Sequence, residues 1–96
     1  MNEMHIKGMI RTMLDGLKDA SMQYEWAMNA HRAGDKELAA LHHGEAAKRL
    51  SGVKEWYEKS KAMMGDKQLD PIGEVLKCYF VDWYHDLNAK VAAMKP

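Results

Sequence analysis

Residues 31–38 read "HRAGDKEL", and this stretch decides the fold. Glycine adopts the left-handed conformation that closes a helix, so Gly34 is predicted as a C-terminal cap. An aspartate immediately afterwards offers its carboxylate to the first free amides of a new helix, so Asp35 is predicted as an N-cap. One helix therefore ends and another begins within a few residues. A second stretch, "MMGDKQLDPIGE" at 63–74, repeats the logic. Gly65 ends a helix, Asp70 caps the next, and Pro71 occupies the first helical position, where its missing amide does no harm.

Between these punctuation marks the apolar spacing is helical, and no window alternates with period two. Three helices are predicted, at 3–33, 36–64 and 71–94, in one domain covering 1–96. The fold class is all-α: a three-helix antiparallel up-down bundle, because short connections between long helices make antiparallel neighbours. The first helix sets Ile6, Ile10, Met13, Leu17, Ala20, Tyr24, Ala27 or Met28, and His31 on one seam, an alternation of three and four. Gly8 and Gly16 weaken that helix, and a kink near Gly16 is an expectation. The second helix is predicted to bury Leu38, His42, Ala46, Val53, Trp56, Ser60 and Met63 or Met64. The third is predicted to bury Ile72, Leu76, Tyr79, Phe80, Trp83, Leu87, Val91 and Met94, and its aromatic load makes it the anchor of the core.

Composition narrows the function classes. The 96 residues carry 14 basic and 14 acidic side chains without a long block of either sign. A nucleic-acid binder carries a clustered basic surplus, so none is expected. No uninterrupted apolar run approaches the length of a membrane span, and no membrane partner is expected. A single cysteine, Cys78, precludes an intrachain disulfide and fits a reducing compartment, so the expected location is the cytoplasm. Nine methionines fit gap-filling in a core, with a binding surface as the alternative.

The polar residues that draw attention lie in "LHHGEAAKRL", residues 41–50. Adjacent helical residues diverge by about 100°, so His42 and His43 do not readily share one metal. His42 is predicted near the centre of the apolar face and His43 toward solvent. Pairing the helices about their turns places Tyr24 level with Glu45, Asp86 level with Arg49, and Lys90 level with Glu45. The expectation is a self-satisfied polar layer of Tyr24, His42, Glu45, Arg49, Asp86 and Lys90 that fixes register, because half-buried charges require partners. The alternative is a metal or small-ligand site on His42 and Glu45.

The hairpin "YEWAMNAHRAGDKELAALHHGEAAKRL", residues 24–50, resembles that of the rubrerythrin-type, ferritin-like di-iron bundles. The resemblance covers under a third of the chain and sets Glu25 and Glu45 at the ligand positions. It implies a helical bundle able to hold a metal. The chain departs from the family motif at Lys48, where E-x-x-H requires histidine. No E-x-x-H occurs anywhere in it, so no metal or other cofactor is predicted.

Catalytic residues are not predicted either. Cys78 has no histidine at helical spacing beside it, and the serines lie mid-helix without an oxyanion donor. The function expected is therefore non-enzymatic: a small interaction or structural protein, a homodimer able to bind a protein partner. On a helical wheel Met22 and Trp26 fall nearly opposite the seam of the first helix. They are the predicted interface.

Overall fold

The computed structural model describes residues 3–64 and 69–94. Among them are three helices and no strand: α1 (Glu3–Arg32), α2 (Lys36–Met64) and α3 (Pro71–Ala93). The all-α class holds. The predicted cap at Gly65 and the side chains of Met63 and Met64 lie outside the described residues.

The first connection closes as its residue types require. Gly34 has φ 79°, its amide donates to the His31 carbonyl, and the Asp35 amide donates to the Ala30 carbonyl. These two bonds form a Schellman closure, which a residue with a Cβ enters only under strain. Asp35 then accepts from the Leu38 amide at 3.0 Å and starts α2. At the start of α3, Asp70 accepts from the Gly73 amide at 2.8 Å, while Glu74 accepts from the Leu69 amide. The Asp70 carboxylate also pairs with Lys7, tying α3 to the first turns of α1.

The seam of α1 is buried much as its spacing dictates: Ile6, Ile10, Met13, Leu17, Ala20 and Ala27 are all in the core. Ala30 joins them, whereas Tyr24 is half-buried and His31 exposed. The helix runs unbroken through Gly16. Gly16 instead faces Val53, and a Cβ added to it would lie 2.7 Å from Val53 Cγ2. The glycine lets α1 and α2 approach closely.

The buried faces of α2 and α3 are rotated from the predicted ones. On α2, Ala39, Ala46, Leu50, Val53 and Ser60 are buried, while Leu38 and Trp56 turn outward. On α3, Phe80, Tyr84, Leu87 and Val91 fill the core, while Ile72 and Tyr79 lie outside it. Gly73 is also buried, beneath Leu69, which would clash with any Cβ there. Tyr57 of α2 meets Phe80 and Tyr84 of α3 at ring separations of 5.2 and 5.6 Å. These three rings form an aromatic centre; of the α3 aromatics expected in the core, Phe80 is there, Trp83 is half-buried and Tyr79 is exposed.

The protein is a rod of 48 × 20 × 18 Å with a radius of gyration of 15.1 Å. A globular chain of this length has a radius near 12.5 Å. Its accessible surface, 6364 Å², exceeds the roughly 5,600 Å² of a compact monomer of this mass. The excess follows from the helix lengths: α1 alone is about 45 Å long.

Candidate interaction face

The six polar residues expected in one layer occupy two separate places. Glu45 and Arg49 form an ion pair along α2, and Asp86 and Lys90 form another along α3 at 2.9 Å. The cross-helix pairs Arg49–Asp86 and Lys90–Glu45 are replaced by these pairs four residues apart. The cause is the phase of α2. Its α3-facing side carries His43, Ala47, Leu50 and Ser51, whereas Arg49 lines a groove with Asp19 and Trp56 on the other side. The Arg49 hydrogen bond holds the Glu45 carboxyl below its ordinary range. The hydrogen bond to Asp86 raises Lys90, and the nearby Tyr24 and Glu25 of α1 add to that effect.

The two histidines both have partners. Nδ1 of His42 donates to Gln23 Oε1 at 2.7 Å, and its ring lies edge-on to Trp26 with centroids 5.4 Å apart. His42 thus sits on the α1 flank rather than at the centre of the buried face. His43, expected in solvent, is half-buried and donates from Nε2 to the Val91 carbonyl at 2.9 Å. Among the described residues, no group of three His, Cys, Asp or Glu side chains is placed to hold a metal ion.

Among the described residues, one side of the α1–α2 pair is uncovered. Helix α3 packs on the opposite side, more closely on α1 than on α2, and leaves an α2–α3 groove of about 360 Å³. The bare side exposes Met22 at 44% and Trp26 at 45%, the two residues singled out on α1. It also exposes three that the sequence did not mark as surface: Trp56 at 50%, Leu38 and Leu41. Between its two tryptophans runs a groove of about 230 Å³, lined by Thr12, Gly16, Asp19, Arg49, Gly52 and Trp56. One ring face of Trp56 is covered by the Lys59 ammonium, 5.5 Å from the centroid.

A second apolar strip lies on α3. Ile72, Val75 and Tyr79 are 66%, 68% and 58% exposed, and Tyr79 leans on Trp83 at 5.8 Å. The i, i+3, i+7 spacing of the three was the available signal, but large apolar residues at that spacing also suit a core. A cleft of about 230 Å³ with an Ile10, Met13 and Phe80 floor opens beside Lys61 and Lys77.

Among the described residues, no helix is long and apolar enough to cross a membrane. No protein-family model, curated protein or solved structure matches the chain.

Proposed function

We propose that this chain is a small, non-enzymatic helical interaction protein: an antiparallel up-down three-helix bundle that self-associates as a homodimer and can present its surface to a protein partner. The supporting observation is the bare side of the α1–α2 pair, where Trp26 and Trp56 each expose about half of their surface. Half-exposed tryptophans on a broad, partly apolar face are the residues that carry binding energy in protein interfaces. The excess surface of the rod gives the same face a thermodynamic reason to be covered, because burial of apolar area is the main favourable term in association. The up-down arrangement is supported by contacts that run backward along α2 as α1 advances, from Gly16–Val53 to Trp26–His42. An exposed free thiol at Cys78 fits a cytoplasmic location.

Light scattering tests this reading. The native chain should have twice the 11.0 kDa chain mass at micromolar concentration, and Trp26→Glu should shift it to the single-chain value. A native mass of one chain at all accessible concentrations would overturn it.

A further inference from the structure

We infer that the occupant of the bare α1–α2 side is a second copy of this chain, related by a twofold axis parallel to the helices, so that α1 of each copy lies antiparallel against α2 of the other. The inference rests on the self-association reading and adds the symmetry and the contacts. It follows from what the two helices present at three heights.

The contacts Gly16–Val53 and Trp26–His42 set the heights. Toward one end α1 offers Trp26, with Met22 one turn before it, and α2 offers Leu41 close to the level of Trp26, with Leu38 one turn beyond. At mid-height α1 offers the exposed carboxylate of Asp19, with Asp15 one turn further along, and α2 offers Arg49 at the level of Asp19, with the exposed Lys48 beside it in sequence. Glu45 lies one turn from Arg49, at a level between Met22 and Trp26, and is paired with it. Toward the other end α2 offers the large ring of Trp56, while α1 offers Thr12 at its level, with Gly8 one turn beyond. No atom outside the local helix lies within 4 Å of the position a Cβ would take at Gly8 or Gly52.

At these three levels, therefore, α1 carries what α2 of another copy requires: Trp26 against Leu41, Asp19 against Arg49, and Thr12 against Trp56. An axis along the helices matches each level with itself and sets α1 opposite the other copy's α2. An axis across the helices would set α1 on α1 and bring Asp19 onto Asp19 and Arg49 onto Arg49, juxtapositions that oppose association. A self-complementary patch of this kind is what an isologous twofold contact needs. The available area suffices: a broad side of 48 × 20 Å projects about 960 Å², and stable interfaces bury about 800 Å² per partner.

A charge-swap mixture tests the symmetry. Asp19→Arg alone and Arg49→Asp alone each place like charges together twice in a homodimer, so each should weaken dimerisation by about tenfold or more. Mixed in equal amounts, the two variants should form a heterodimer of near-native affinity, because both contacts become opposite-charge pairs again. Failure of the mixture to recover, while the native chain dimerises, overturns the symmetry and leaves self-association standing. A monomeric native chain overturns both. Should either variant unfold, native chains with and without ¹⁵N label are mixed and coupled with a zero-length carbodiimide. Mixed-isotope links from Asp15 or Asp19 to Lys48 support the arrangement. Mixed-isotope links confined to α3, or none, overturn it.

Discussion

Gly16 of α1 and Val53 of α2 are in such close approach that a methyl group on Gly16 would stand 2.7 Å from Val53 Cγ2. A mid-helix glycine ordinarily destabilises by about 1 kcal/mol relative to alanine, so Gly16→Ala should be favourable by propensity alone. The contact reverses the sign, because overpacking a close helix pair costs about 1–3 kcal/mol. Gly44 has nothing within 4 Å of its would-be Cβ and is exposed. Urea unfolding should therefore show Gly16→Ala destabilised and Gly44→Ala stabilised by about 0.5–1 kcal/mol. Equal effects would mean that the close approach does not exist.

That pair also shows where the sequence was legible. A strict three-four alternation on α1 identified most of its buried seam, because α1 has one continuous apolar stripe. Helix α2 contacts α1 through Val53 and α3 through His43 and Tyr57, so its buried arc is wide and made largely of small residues. A single stripe fitted through its bulkiest side chains leaned toward Leu38 and Trp56, which are exposed. The same bias put Ile72 and Tyr79 in the core of α3 and overlooked Gly73, buried because Leu69 folds over it. The polar layer failed for a related reason. Pairing by height carries no information on azimuth, and Glu45 and Arg49 point away from α3.

Phe80 is 1% exposed and stacks with Tyr84 at 5.8 Å. Truncation of a buried phenylalanine costs about 3–5 kcal/mol, a large share of the roughly 5–15 kcal/mol that holds a small domain folded. Phe80→Ala should lose most of its cooperative thermal transition by circular dichroism, whereas Tyr79→Ala, one position away and exposed, should stay close to the native midpoint.

Acid and alkali should act through different groups. Lys7 and the Gly73 amide hold the Asp70 carboxyl below its ordinary range. A lowered carboxyl contributes stability that is present above its unfolded value and is lost as pH falls through the folded one. The thermal midpoint should thus fall below about pH 4, and Asp70→Asn should flatten that fall. Burial pushes the Tyr84 phenol up, with Glu58 and Tyr57 adding to the shift. Its contribution is present below the unfolded phenol value and is lost above it, so stability should decline above about pH 10. Tyr84→Phe should remove much of the alkaline decline and leave the acid one unchanged.

His43 of α2 donates to the backbone near the end of α3, at Val91. That carbonyl belongs to the last helical turn, where carbonyls have no partner within the helix. A hydrogen bond of this kind contributes about 1 kcal/mol. His43→Ala should speed amide hydrogen exchange over residues 90–94 while leaving α1 unchanged. Protection that is identical in both proteins would show that the bond does not hold α3 down.

The last prediction separates the dimer face from the rest of the surface. Gly44 and Gly52 are both exposed on α2 with open space above them, so within a single chain a leucine is tolerated at either. Only Gly52 lines the groove on the bare side, beside Thr12, Asp19 and Trp56. If a second copy closes over that groove, a side chain at 52 fills space that the approaching helix needs, and one at 44 does not. Sedimentation equilibrium should show Gly52→Leu with a weakened dimer and Gly44→Leu with a native one, although both gain helix propensity by about the same amount, close to 1 kcal/mol. Comparable dimerisation in the two variants would place the contact elsewhere, and the exposed α3 strip of Ile72, Val75 and Tyr79 would then be the surface to alter.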